Sequence, residues 1–149
     1  VYQQIGIWVN SYLYRIAYLM VRYFRADTPE ESSQVSGTNY HIQQAVDYIE
    51  KHFKEDLSAA DVAAKAGLSR EHFSRIFREY TGVTFKRFLT SLRLAVAYRL
   101  LVGTELSTMD IALSAGFPDS QNFSRHFKQH YGCPPAEYRR TCARPSARK

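Results

Sequence analysis

Between Tyr40 and Tyr138 the apolar residues fall in steps of three and four, broken at short intervals by Ser, Gly and Pro. That spacing predicts a succession of helices, each with one buried face. Ile42, Val46, Ile49 and Phe53 form the first stripe and predict a surface helix over 40–54. Ser58 with Asp61 marks the next helix start. The hydroxyl can take a free amide of the first turn, and the carboxylate favours the positive helix end. Val62, Ala63 and Ala66 give this helix a slim packing face, and Gly67 stands where a helix ends in a left-handed residue. Leu68 is expected to return to the core and Ser69 to cap a helix over 69–80 with Phe73, Ile76 and Phe77 inward. A long uninterrupted helix follows over 84–101, ended by Gly103. Its expected buried stripe is Phe85, Phe88, Leu89, Leu92, Val96 and Leu100, and its length is roughly 27 Å at 1.5 Å per residue.

The same pattern is then written again. Leu57, Ser58, Asp61, Ala63, Ala66 and Gly67 recur 49 residues later as Leu106, Ser107, Asp110, Ala112, Ala115 and Gly116. Phe73, Ser74, Arg75, Phe77 and Gly82 recur 50 residues later as Phe123, Ser124, Arg125, Phe127 and Gly132. One residue has been inserted after the second turn, where Phe117 takes the place of Leu68. The second helix of this copy is expected over about 119–130, with Asp119 as its cap. Cys133-Pro134-Pro135 opens a last short helix, proline being tolerated in a first turn whose amides have no partner.

Residues 1–26 read as one more helix. Ile5, Val9, Tyr12, Ile16, Leu19 and Tyr23 form an a/d seam widened by Trp8, Leu13, Met20 and Phe24. So broad an apolar face calls for a partner, either the rest of a domain preceding this stretch or a second copy of the chain. The chain starts inside this pattern without an initiator Met and is read as part of a longer protein. The segment 27–39, polar and holding Pro29 and Gly37, is expected to be a linker. Residues 141–149 form a basic tail.

Charge sharpens this division. Residues 1–39 hold three basic and three acidic residues, so the net +6 lies wholly in residues 40–149. A basic excess in one region favours a polyanionic partner, since each neutralised phosphate releases counterions. At 149 residues the chain can hold one ordinary domain plus an appendage. No apolar run is long enough to span a bilayer, and no signal peptide is visible, so a cytoplasmic protein is expected. Cys133 and Cys142 match no metal or redox spacing and read as reduced thiols.

A helix, a short glycine turn and a second helix make a helix-turn-helix, whose second helix can enter a major groove. Arg70, Glu71, His72, Ser74 and Arg75 occupy that position in the first copy. Ser120, Gln121, Asn122, Ser124 and Arg125 occupy it in the second. Arg can pair bidentately with guanine, and Gln or Asn with adenine. Arg78, Lys86, Arg87 and Lys128 are phosphate candidates. The intervening helix suggests two recognition helices about 34 Å apart, one turn of duplex, reading adjacent major grooves.

Over about residues 40–140 the sequence resembles the AraC/XylS family of bacterial transcription regulators. The resemblance rests on Asp110-Ile111-Ala112 with Gly116-Phe117, on Asn122-Phe123-Ser124-Arg125 with Phe127-Lys128, and on Tyr131-Gly132 with Pro134-Pro135, Glu137-Tyr138-Arg139. It implies an all-α domain over 40–140 with two helix-turn-helix subdomains joined by a long linker helix, about seven helices in all, preceded by the amphipathic helix. It also implies promoter binding, activation through RNA polymerase, and an N-terminal effector-binding and dimerisation domain whose last helix would be residues 1–26. A homodimer through residues 5–23 is one arrangement that such a domain would allow, beside burial of this face within the domain itself. No cofactor is expected in this stretch, and the small-molecule effector is not identified by it. Carried over by position, Glu71, Ser74 and Arg75, then Ser120, Gln121, Asn122 and Arg125, sit where members of that family read bases, with base or phosphate left open for the two arginines.

Simpler roles stand beside these. Arg75 could form a surface ion pair with Glu71, four residues earlier. Glu71 could accept from a cytosine amino group or merely complement the helix start. His126, His130 and Cys133 fall at helical spacing but lack the fourth ligand of a structural zinc site. No nucleophile–base set, carboxylate pair or phosphate-cradling loop marks an enzyme. The alternatives are the regulatory DNA-binding part of a DNA-repair enzyme, or a basic scaffold for acidic proteins. The first head, with Arg70, Arg75, Arg78, Lys86 and Arg87 against Glu71 and Glu79, is expected to carry more affinity and discrimination than the second, with Arg125 and Lys128 against Asp119, which is expected to tolerate more sequences and to anchor the pair through backbone contacts and Gln121 with Asn122.

Overall fold

The computed structural model describes residues 33–142, all of whose regular structure is helical. The seven helices are α1 (Ser33–His52), α2 (Ala59–Lys65), α3 (Arg70–Thr81), α4 (Phe85–Gly103), α5 (Thr108–Ser114), α6 (Ser120–Tyr131) and α7 (Pro135–Cys142). The Ile5–Tyr23 seam, with the dimer expected from it, and residues 143–149 of the tail lie outside the described residues, while Thr141 and Cys142, read as the start of that tail, close α7.

α1 already includes Ser33, so the last part of the segment expected to be a linker is helical. That part carries no apolar stripe to announce it. Once the amphipathic portion from Ile42 onward has nucleated, adding a residue to a helix costs little, and polar sequence can be drawn into it. The membrane criterion is also unmet: no helix among the described residues is long and apolar enough to cross a bilayer.

The chain divides into two compact units. The first runs up to Lys51 and adds Leu57–Arg87; the second combines His52–Asp56 with the chain from Phe88 onward. In the first, Ile42, Ala45, Val46 and Ile49 of α1, Val62, Ala63 and Ala66 around α2, and Phe73, Ile76 and Phe77 of α3 are buried. Phe73, Phe77 and Phe85 form its aromatic centre, with ring centroids 5.1–6.2 Å apart. Burying such rings is the main favourable term in holding α1, α2 and α3 together. In the second, Leu94, Ala97 and Leu101 of α4 meet Ile111, Ala112, Ala115, Phe117, Phe123, Phe127 and Tyr138. Phe127 is ringed by Phe123 at 5.5 Å, Tyr131 at 4.4 Å and Tyr138 at 5.6 Å.

The buried stripe of α4 differs from expectation. Phe85 and Leu89 are buried as anticipated, but farther along Leu94, Ala97 and Leu101 are the closed positions. Phe88, Leu92, Val96 and Leu100 are only half-buried. The helix contributes side chains to two cores, and its sequence is apolar around much of its circumference. A single stripe at fixed phase therefore could not describe it.

Candidate nucleic-acid interface

Each unit contains one helix-turn-helix, α2 with α3 and α5 with α6. The small residues Ala63 and Ala112 let the paired helices approach, and each is buried beside a larger neighbour, Val62 in the first pair and Ile111 in the second. The starts of these helices are fixed by side chains. Ser58 accepts from the Asp61 amide at 3.2 Å and donates to Asp61 Oδ2 at 2.6 Å, while the Ser58 amide donates to the same carboxylate, closing the capping box. The hydrogen bonds from the Ser58 hydroxyl and then from its amide hold the Asp61 carboxyl below the usual carboxylate range, slightly opposed by burial. Ser107 repeats the hydroxyl part with Asp110, at 3.1 and 2.6 Å.

The two recognition helices are capped as expected. Ser69 accepts from the His72 amide at 3.3 Å, and Asp119 accepts from the Asn122 amide at 2.6 Å. These amides are thereby taken, and the α6 start carries a carboxylate. Phosphate contacts are better sought from side chains than from these helix ends.

Along α3, Phe73, Ile76 and Phe77 face inward, and Arg70, Glu71, Ser74, Arg75 and Arg78 are all exposed. Arg75 does form an ion pair, but with Glu79, four residues later, rather than with Glu71. The Arg75 Nη1 to Glu79 Oε1 distance is 3.3 Å. Along α6, Phe123 and Phe127 are buried, while Gln121, Arg125 and Lys128 are exposed. Ser120 and Asn122 are half-buried, so of the expected amide pair Gln121 is the more open. Lys86 and Arg87 are exposed at the start of α4. His126 lies over the Phe117 ring, with centroids 6.2 Å apart, and so packs beside the second turn. Among the described residues, no group of three or more His, Cys, Asp or Glu side chains is gathered as a metal ion requires.

The turns before the recognition helices are not alike. Gly67 and Gly116 both adopt a left-handed backbone, with φ of 68° and 84°. Around Gly67 there is open space. At Gly116 a Cβ would lie 2.7 Å from Lys54 Cα, 2.9 Å from Phe53 O and 3.1 Å from Arg93 Nε. The following residue differs too: Phe117 is buried, whereas Leu68 is half-buried. Arg93, on α4, donates through Nε to Phe53 O at 2.7 Å and through Nη2 to Glu55 O at 2.7 Å. Burial pushes its guanidinium below its ordinary value, and the nearby Asp56 carboxylate pulls it back up. Sequence reading missed this contact. Its only local signal is a cation set among the apolar residues of α4.

Comparison with known proteins agrees with this architecture. Residues 62–141 match the profile of a helix-turn-helix domain family. The lactose operon transcription activator of Staphylococcus xylosus is 32% identical over 134 residues, covering 89% of this chain and 47% of that protein. The chain spans less than half the length of the curated relatives it matches. A crystal structure of the DNA-binding domain of AdpA, a global transcriptional factor, in complex with a target DNA, superposes with a TM-score of 0.64 at 31% identity, covering 66% of this chain and 89% of that one. An AraC-type regulator from Chromobacterium violaceum gives a TM-score of 0.64 at 32% identity, with 74% and 99% covered.

Proposed function

This chain belongs to the AraC-type helix-turn-helix family, and from that premise we propose that it is a sequence-specific regulator of transcription that binds double-stranded promoter DNA. α3 and α6 are its recognition helices, each entering a major groove, and the groove-facing residues are those of their outward faces. The observation that carries this reading is the division of each helix. Its phenylalanines are buried, and its outer residues, Arg70, Glu71, Ser74, Arg75 and Arg78 or Gln121, Arg125 and Lys128, are polar and exposed. The target DNA held by the AdpA domain supports the same reading.

In this proposal Arg75 and Arg125 are the guanine readers and Gln121 and Asn122 the adenine readers, with Ser74 and Ser120 as short hydrogen-bonding neighbours. Arg70, Arg78 and Lys128, with Lys86 and Arg87, hold phosphates. Glu71 complements the start of α3. The chain acts by binding rather than by catalysis. Its wider role, also proposed, is that of a cytoplasmic, effector-responsive activator that contacts RNA polymerase and pairs through residues 5–23. The name of the Staphylococcus xylosus relative supports the activator part.

Selection of bound duplexes from a random pool, followed by competition at physiological salt, tests the proposal. A selected site should outcompete random DNA by about a thousandfold or more. Equal affinity for every duplex would overturn it. Arg75→Ala and Arg125→Ala should each relax specificity over a few adjacent base pairs. Unchanged protection in both would remove these residues from the assignment.

A further inference from the structure

We infer that Arg93 is a positioning residue for the second recognition helix: it holds residues 53–55 as a wall against Gly116, and that wall fixes the turn from which α6 starts. The inference rests on the proposed DNA-binding role of α6.

α1 ends at His52, so the carbonyls just beyond it have no helical partner. A cation at a helix C-terminus is favourable, and a guanidinium can span two acceptors as a planar fork. Arg93 does this, reaching Phe53 O and Glu55 O at 2.7 Å each. The segment also has its own internal turn, with the Glu55 amide donating to His52 O at 2.9 Å and His52 Nδ1 lying 2.7 Å from Glu55 Oε1. Although they follow α1 directly, residues 52–56 belong to the second unit.

Gly116 lies flat against this segment, too close for any side chain. From there the connection to the recognition face is short. The Gly116 amide donates to Leu113 O at 3.1 Å and the Phe117 amide to Ala112 O at 2.9 Å, closing the turn on α5. The Phe117 side chain is buried, with its ring 5.4 Å from that of Phe123 on α6. The wall therefore sets Gly116, Gly116 sets Phe117, and Phe117 packs the inner face of the helix that presents Gln121, Asn122 and Arg125. An amide side chain reads adenine only when both its hydrogen bonds are aligned. A small displacement of α6 would cost discrimination before it cost folding.

The full chain tests this with Arg93→Lys and Arg93→Ala. Gln121→Ala in an otherwise parental chain first identifies the base pairs read by α6. Both Arg93 variants should then lose protection at those base pairs and keep it at the base pairs read by α3. Affinity for the selected site should fall about tenfold or more, the size of one lost base-pair contact. Lysine keeps the charge and the stem but offers a single donor head, so it should fold and still fail to restore the contacts. Amide hydrogen exchange without DNA gives a second readout. Gly116 and Phe117 should exchange faster in both variants, and Gly67 and Leu68 at the parental rate. Equal loss at the α3 and α6 base pairs, or parental exchange at Gly116 and Phe117 in a folded variant, would overturn the inference. A parent chain that selects no sequence would instead overturn the proposed function, and the exchange measurement would still decide the role of Arg93.

Discussion

The two helix-turn-helix units are copies of one plan held in different ways. In the first, the turn at Gly67 stands in open space, Leu68 is half-buried, and the recognition helix is rich in cations. In the second, Gly116 is pressed against another stretch of backbone, Phe117 is buried, and the recognition helix offers amides with fewer charges. The pairing of properties is physically coherent. Arginines on long, flexible stems attract phosphate and adapt to where it lies. Short amide side chains need a helix held in one place to align two hydrogen bonds. The difference teaches that a repeated sequence passes on the fold of each unit, while residues outside the repeat decide how firmly each recognition helix is held.

The largest expected break of this comparison is at the two glycines. Alanine in a left-handed conformation costs about 1–2 kcal/mol, and that is all Gly67→Ala should lose, because its Cβ meets nothing within 4 Å. At Gly116 the same strain is joined by a collision with backbone atoms at 2.7 and 2.9 Å. Forced overpacking adds about 1–3 kcal/mol, for a combined loss of roughly 2–5 kcal/mol. Chemical denaturation of both variants measures the difference directly. Asparagine sharpens it. Gly67→Asn should approach the parent, since Asn tolerates this backbone, whereas Gly116→Asn should remain as costly as alanine. Equal losses at the two positions would mean that the wall at Phe53–Lys54 yields freely.

Much of this contrast was legible in the sequence and its cause was not. The offsets of 49 and 50 residues located both units, Ser58, Ser69, Ser107 and Asp119 located the helix starts, and Gly67 and Gly116 located the turns. The caps and turns are local signals, acting within four residues, and the repeat only copies them. What escaped is set through space or is ambiguous locally. Arg93 meets carbonyls 38 and 40 residues away, and no periodicity records that. Arg75 has an acid on either side, at Glu71 and Glu79, and sequence cannot say which it takes. The phase of α4 changes from Leu89 to Leu94 because it serves two cores, a property of packing rather than of the helix itself. Residues 33–39 lack an apolar stripe and so look like linker, although a helix needs none where its neighbours have already nucleated it.

A smaller test uses acid. The reciprocal capping box is closed in the first unit, where Ser58 lowers the Asp61 pKa. A carboxylate with a depressed folded-state pKa binds fewer protons folded than unfolded. Its contribution is therefore fully present above the unfolded value of about 3.9 and is lost as pH falls through the folded value. Acidification from pH 5 toward pH 3 should thus loosen the start of α2, seen as lower protection factors at the Asp61 and Val62 amides, each taken against the intrinsic exchange rate at that pH. Asp61→Asn should remove the pH dependence across that window. An unchanged acid response in Asp61→Asn would show that the box contributes nothing to the difference between the units.

The smallest effect on stability, and the finest probe of the charge contrast, is at Glu79. It stands 3.3 Å from Arg75 with both side chains 62% exposed. Such a surface pair contributes at most about 0.5 kcal/mol within a helix, so Glu79→Gln should leave the unfolding midpoint nearly where it was. Binding should respond more than folding. In α6 the residue four beyond Arg125 is already neutral, Gln129, so the substitution makes the two arginines alike on that side, while Glu71 still stands four before Arg75 where Gln121 stands before Arg125. With that carboxylate gone from beside Arg75, affinity for the selected site should rise, while the slope of log affinity against log salt should stay close to the parent's, because Arg75 is assigned to a base rather than to a phosphate. A slope steeper by about 0.9 would move Arg75 from the base to the DNA backbone. The first unit would then hold phosphate through Arg75 as well as through Arg70, Arg78, Lys86 and Arg87, and its charge would attract DNA without aiming it.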